Sequence, residues 1–104
     1  MSTSLTIDTT REDTGSCTVI ASGEVDLSNI DTFQSTLTAA ADGASGLLTV
    51  DLSRVEYVDS AGINLLFTLS DRIGKVIANP LLMTTFAVSG LAELVPVEAA
   101  QSGR

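Results

Sequence analysis

Residues 47–67 read LLTVDLSRVEYVDSAGINLLF and pass from a strand pattern to a helix pattern. Residues 47–52 are the most strand-like run of the chain, and their nearly continuous apolar character predicts a central strand covered on at least one face. Residues 53–58 are predicted to connect this strand to a helix that begins near Ser60. Gly74 is predicted to end that helix. The apolar stripe of the helix consists of Ile63, Leu66, Phe67, Ser70 and Ile73.

Upstream of this stretch, residues 5–8 and 17–21 both have strand character, and a polar segment that ends in a turn separates them. They predict an antiparallel pair of strands at the N-terminus. A helix is predicted next, with Ser28 as its N-cap and Asp31 in its first turn, where the helix dipole favours an acid. Gly43 is predicted to end this helix in a left-handed conformation.

Downstream, residues 75–78 predict another short strand. Residues 81–89 predict a weak helix, because threonine and valine lower its propensity, and Gly90 is predicted to cap it. Residues 94–97 predict a final edge strand, where a proline is tolerated. The tail from Glu98 onward is predicted to fray.

This alternation of strands and helices predicts an α/β fold. The expected architecture is a mixed, mostly parallel sheet of about four or five strands, with an antiparallel N-terminal strand and three or four helices. The chain has 104 residues, of which 44% are hydrophobic, which suits a single domain over residues 1–104 with a core over about residues 5–97.

The charge balance argues against several classes of partner. The chain has 13 acidic and 5 basic residues and a formal net charge of -8. Such a surface repels phosphate backbones and anionic membranes, so we expect no direct DNA binding. No apolar run reaches the roughly 20 residues that a membrane helix needs, and the N-terminus has no signal-peptide pattern. We therefore expect a cytoplasmic protein that does not insert into membranes.

The chain has no histidine and one cysteine, Cys17. An ordinary zinc site and the Ser-His and Cys-His nucleophile pairs are therefore excluded within this chain. Carboxylates such as Asp51 and Asp59 could act as acid and base, but no phosphate-binding loop or metal constellation accompanies them. We expect a protein that is not an enzyme and has no metal or cofactor. Cys17 itself is predicted to be a buried strand residue.

The segment Asp59-Ser60-Ala61-Gly62 lies at the predicted start of the helix. Its local chemistry predicts a helix cap, in which Ser60 or Asp59 accepts a hydrogen bond from a free backbone N–H, for about 1 kcal/mol. A serine in such a place is most often a cap and nothing more, so a further role for Ser60 requires a second argument.

That argument is a resemblance that spans roughly residues 5–97. The chain resembles the STAS family, the domain of bacterial anti-sigma factor antagonists, in several landmarks that occur in the same order. They are residues 23–27 (GEVDL), 50–53 (VDLS), 55–63 (VEYVDSAGI), 79–80 (NP) and 89–91 (SGL).

The resemblance implies a STAS fold and a phosphorylation switch. It matches Ser60 to the serine that a partner kinase, which doubles as the anti-sigma factor, phosphorylates. The unphosphorylated protein would capture this anti-sigma factor and free a sigma factor, and a PP2C-type phosphatase would reset the phosphorylated form. The residues expected to bind the partner are Asp26, Asp59, Ala61, Gly62 and Leu65.

Two alternatives remain open at this point. Leu65 and Leu69 lie off the apolar stripe, so they either pack against an adjacent helix or give the partner an apolar contact. The protein could also be a STAS scaffold subunit of a stress-sensing or lipid-transport complex, without a phosphoswitch. The segment between Gly62 and Asn79 has only 16 residues. Compared with the family, the second helix must therefore be shorter or the next strand must start sooner.

Overall fold

The computed structural model describes residues 4–101, which contain five strands and four α-helices. The strands are β1 (Thr6–Arg11), β2 (Cys17–Val25), β3 (Leu48–Val58), β4 (Ile73–Ala78) and β5 (Val97–Ala99). The helices are α1 (Ile30–Gly43), α2 (Ser60–Thr68), α3 (Met83–Ser89) and α4 (Leu91–Leu94), with short 3₁₀ turns at Ser70–Arg72 and Pro80–Leu82.

The strands form one sheet in the order β1-β2-β3-β4-β5. The pair β1–β2 is antiparallel, and the three remaining pairs are parallel. The predicted mixed, mostly parallel sheet with an antiparallel N-terminal strand is therefore confirmed.

The helices cover one face of this sheet. Each parallel crossover moves one strand further in the same direction, and crossovers of one hand then place their helices on the same side. The burial pattern agrees, because successive residues along β2 alternate between buried and half-buried. The core lies between the covered face and the helices. Its largest fully buried side chains are Phe33, Phe86, Leu37, Leu48, Leu52, Leu66 and Leu91.

Cys17 lies in this core. It is the first residue of β2 and is buried, as predicted. A free thiol in such a place packs as a small apolar group.

Strand β3 is longer than predicted. Residues 53–58 continue the strand instead of leaving it, and Val25 of β2 is the register partner of Val58. The sequence pattern was misleading because the buried residues Leu52, Val55 and Val58 are spaced by three. Two register shifts between β2 and β3 cause this spacing, and they hide the alternation of two that marks a strand.

The second helix is shorter than its apolar stripe predicted. Helix α2 ends at Thr68, and the 3₁₀ turn Ser70–Arg72 leads into β4 at Ile73. The assignment of Ile73 and Gly74 to the helix was therefore wrong, since both lie in β4. Ile73 is buried as a residue of the sheet, so its spacing of three from Ser70 does not reflect a helix. The short segment before Asn79 is accommodated both by a short helix and by an early strand.

The boundaries of α1 also differ from the prediction. Asn29, not Ser28, is the N-cap residue, and Asp31 lies in the first turn as predicted. Gly43 is the last helical residue and does not adopt a left-handed conformation. The chain leaves the helix through Ala44 in an extended conformation.

The C-terminal part contains one confirmed boundary and two errors. Gly90 caps α3 with a φ of 88°, the left-handed conformation that glycine adopts without strain. Leu94 belongs to α4, and the edge strand is Val97–Ala99. The tail does not fray from Glu98, because β5 pairs with β4 and the Ala100 N–H donates a 2.7 Å hydrogen bond to the Ala78 carbonyl.

Candidate partner-binding site

The candidate site lies where β2 and β3 end side by side. Val25 and Val58 are the last residues of these strands and are register partners. The Asp59 N–H donates a 3.1 Å hydrogen bond to the Val25 carbonyl. The loop of residues 26–29 and the start of α2 therefore meet at the carboxyl edge of the parallel sheet. We call residues 26–29 the β2–α1 loop.

Asp59 is the N-cap of α2, and both of its carboxylate oxygens accept hydrogen bonds. Oδ1 accepts from the Gly62 N–H at 3.1 Å, which is the usual capping bond. Oδ2 accepts from the Leu27 N–H at 3.1 Å. The same side chain thus satisfies an amide at the start of the helix and joins the β2–α1 loop to it.

Because Asp59 performs the capping, the Ser60 side chain is left available. Ser60 is the first helical residue and is exposed. Within residues 4–101 no hydrogen bond to its hydroxyl is found. The sequence left open which of the two residues caps the helix, and the structure assigns the cap to Asp59. Ser60 presents a free hydroxyl at a helix N-terminus, where the dipole and the free N–H groups favour an added anion.

Asp26 shapes the β2–α1 loop. Its Oδ1 accepts hydrogen bonds from the Ser28 N–H at 3.0 Å and from the Ser28 hydroxyl at 2.5 Å. Asn29 completes the loop, since its Oδ1 accepts from the Asp26 N–H at 3.0 Å and its Nδ2 donates to the Glu24 carbonyl at 2.9 Å. The sequence-based reasoning missed Asn29, whose side chain makes no capping bond to α1 and bonds instead to the loop and to β2.

Leu27 is the second residue that the sequence did not single out. It lies at the tip of the β2–α1 loop and is 75% exposed. Its backbone N–H is bonded to the N-cap residue of α2, so its exposed side chain offers apolar surface to a partner near the helix start. The signal in the sequence was weak, because an apolar residue between two polar ones reads equally well as a strand end.

The remaining residues predicted to bind the partner lie in α2 and are less exposed than Ser60. Ala61 is half-buried, whereas Gly62 and Leu65 are buried. A Cβ added at Gly62 would lie 2.6 Å from Val58 Cγ1 and 3.0 Å from a methyl carbon of Val25, so the helix approaches the strand ends as closely as glycine permits. Leu65 is 7% exposed and packs in the core, which favours packing over partner contact for this residue.

A groove runs from the start of α2 to α3 and includes Ser60. It has a volume of about 490 Å³. Its lining consists of Val58, Asp59, Ser60, Ile63, Asn64, Thr84, Thr85, Val88 and Ser89. Val88 is 81% exposed, so the groove has an apolar wall on α3. Among the described residues, Asp59 is its one charged lining residue, and no lysine or arginine lines it.

Two further features are absent from residues 4–101. No group of three or more cysteine and acidic residues is placed to hold a metal ion among them. In the same part of the chain, no helix combines the length and apolar character needed to cross a bilayer.

Replacing Asp59 with alanine should lower the free energy of unfolding by about 1 to 2 kcal/mol, because the substitution removes the cap of α2 and the bond to Leu27. Chemical denaturation measures this loss. Asp42→Ala is the matched control, since Asp42 forms a 2.9 Å ion pair with Arg72 in which both side chains are well exposed. Such a pair contributes about 0.5 kcal/mol or less. Equal losses in the two variants would contradict the capping role of Asp59.

The fold and this site are those of a STAS-type domain, with an exposed serine at a helix start on the carboxyl edge of the sheet. A family model described as "Mlab, STAS domain" matches residues 9–96. The chain belongs to the STAS-domain family, as the sequence motifs predicted.

Solved structures give the same result. An anti-sigma factor antagonist from Mycobacterium paratuberculosis is 26% identical, with a TM-score of 0.82 over 91% of this chain and 86% of that one. The anti-sigma factor antagonist SpoIIAA in its unphosphorylated form is 18% identical, with a TM-score of 0.72 over 93% and 90% of the two chains. At that identity SpoIIAA supports the fold alone. No curated protein matches the chain.

Proposed function

We propose that this protein is an anti-sigma factor antagonist that captures an anti-sigma factor in its unphosphorylated state and releases it when Ser60 is phosphorylated. The role is regulatory, and the protein catalyses no reaction itself. The anti-sigma factor would be the serine kinase that modifies Ser60. A PP2C-type phosphatase would restore the active form, and all three proteins would meet in the cytoplasm.

The observation that carries this proposal is the free hydroxyl of Ser60. Asp59 takes the capping role that a serine usually has at a helix start, so Ser60 is exposed and not engaged in the fold. A kinase can therefore reach the hydroxyl without unfolding α2. The antagonist from Mycobacterium paratuberculosis, which shares 26% of its residues with this chain, supports the same general role.

Phosphorylation would change the electrostatics of the site more than its shape. A phosphate adds roughly -1.5 to -2 charges at neutral pH. The start of α2 can accept it, because free N–H groups and the positive end of the helix dipole lie there. The added charge would nevertheless stand beside the Asp59 carboxylate. A partner that packs closely on this surface would have to bury both charges, which costs several kcal/mol without compensating groups.

The surface also indicates the chemistry of the partner. Exposed Leu27 and Val88 provide apolar contacts, and Asp26 and Asp59 provide acceptors and negative charge. An anti-sigma factor that presents apolar side chains together with lysine or arginine would complement this surface. The net charge of -8 would speed the encounter with such a basic patch.

Incubation with candidate anti-sigma kinases and ATP tests this proposal. We expect phosphate to be incorporated into the wild type and into Ser35→Ala, and not into Ser60→Ala. Ser35 is a suitable control because it is an exposed serine on α1, outside the site. Incorporation into Ser60→Ala at the wild-type level would contradict the assignment. Capture of a partner that is indifferent to the state of Ser60 would instead favour a STAS scaffold subunit without a phosphoswitch.

A further inference from the structure

Among residues 4–101, one side-chain hydrogen bond connects the β2–α1 loop to the start of α2. Within the loop, the hydrogen bonds of Asp26 and Asn29 join neighbouring residues of the same segment. The bond from the Leu27 N–H to Asp59 Oδ2 differs, because it bridges positions 32 residues apart. In the described part of the chain, it is the hydrogen bond that ties the tip of the loop to the start of the helix.

We propose that Asp59 is a positioning residue that holds the tip of the β2–α1 loop, with its exposed Leu27, at the start of α2, and that phosphorylation of Ser60 weakens this hold. The second half of this inference rests on the proposed phosphoswitch; the first half does not. The switch would then act twice, by placing negative charge on the partner-binding surface and by loosening the apolar tip of the loop.

The chemistry of the neighbouring groups supports this coupling. A phosphate on Ser60 and the Asp59 carboxylate are adjacent in the chain and would repel each other. Both are acceptors, and both would compete for the free N–H groups of the first turn of α2. The two ion pairs found within residues 4–101 are Arg72–Asp42 and Lys75–Glu98, so in this part of the chain no lysine or arginine is paired with Asp59.

Two backbone amides report separately on the two hydrogen bonds of Asp59. The Leu27 N–H donates to Oδ2, and the Gly62 N–H donates to Oδ1 of the same carboxylate. Gly62 lies in the first turn of α2, where an N–H has no partner in the preceding turn of the helix. The amide exchange rate at Leu27 therefore reports whether the loop contact is formed, and the rate at Gly62 reports whether the helix cap is formed.

The first test uses the free protein and needs no partner. Serine is a good N-cap but offers one side-chain oxygen, so Asp59→Ser should keep the bond to Gly62 and lose the bond to Leu27. We expect the exchange rate at Leu27, measured by NMR, to rise about tenfold while Gly62 and the core amides stay protected. Asp59→Ala should accelerate both amides. Unchanged protection of Leu27 in both variants would overturn the positioning role.

The second test places phosphoserine at Ser60 by genetic code expansion, so that it does not depend on finding the kinase. We expect faster exchange at Leu27 than in the unmodified protein, with the core amides unchanged. Phosphoserine introduced at Ser35 is the control and should leave Leu27 unaffected. If phosphoserine at Ser60 leaves Leu27 equally protected, the coupling is refuted even if the phosphoswitch itself is correct. Conversely, a protein that no kinase modifies could still show the coupling, and only the proposed function would then fail.

Discussion

Replacing Ser60 with aspartate is expected to weaken capture of the anti-sigma factor by at least about 100-fold. The substitution adds one negative charge to an exposed position at the start of α2, directly beside Asp59. Binding would bury two adjacent carboxylates, and an unpaired buried charge at an interface costs about 2 to 5 kcal/mol. Isothermal titration calorimetry with the purified anti-sigma factor measures the change in Kd.

The matched control is Ser35→Asp, which adds the same charge to an exposed position of α1 outside the site. We expect this variant to bind within about a factor of two of the wild type, because a distant exposed charge is largely screened by salt. Binding of Ser60→Asp at wild-type affinity would contradict the proposed switch. Equal weakening in both variants would show that net charge is responsible and that the position is not.

Replacing Gly62 with alanine is expected to lower the free energy of unfolding by about 2 kcal/mol. The added Cβ would lie 2.6 Å from Val58 Cγ1, closer than side-chain carbons approach each other, and 3.0 Å from a methyl carbon of Val25, which is also a tight contact. Helix α2 must shift away from the strand ends, and this loss exceeds the gain of up to about 1 kcal/mol from the better helix propensity of alanine. Urea denaturation measures the difference.

Gly46 provides the control for this prediction. A Cβ added there would meet no atom within 4 Å, so Gly46→Ala should change the stability by about 0.5 kcal/mol or less. A double-mutant cycle with Val58→Ala isolates the clash, because removing Cγ1 of Val58 should recover part of the loss in Gly62→Ala. A Gly62→Ala variant as stable as the wild type would contradict the close approach of α2 to the sheet.

The sequence predicted the order of strands and helices well, but it predicted the boundaries of these elements less well. Residues 47–52 and the stripe of α2 were recognisable because continuous apolar runs and helical spacing are local signals. The extension of β3 through Val58 was not, since the register shifts against β2 are a tertiary property. Ile73 was misassigned for a related reason, because a buried residue at helical spacing does not say which element buries it.

The candidate site likewise has features that the local sequence predicts and features that depend on tertiary contacts. The motif around Ser60 predicted a helix start, and the family resemblance, not the spacing, made Ser60 a candidate phosphorylation site. The contact between Asp59 and Leu27 joins segments 32 residues apart, and no local pattern encodes it. The burial of Leu65 also depended on the packing of α2 against the sheet, so the sequence could only offer two alternatives for it.

The most direct test of the account compares the same protein before and after phosphorylation of Ser60. The phosphorylated form, verified by mass spectrometry, is titrated against the anti-sigma factor, then treated with a PP2C-type phosphatase and titrated again. We predict that the unphosphorylated protein binds and displaces the sigma factor, that the phosphorylated protein does neither, and that the phosphatase restores both activities. Equal affinity of the two forms for the anti-sigma factor would contradict the central claim.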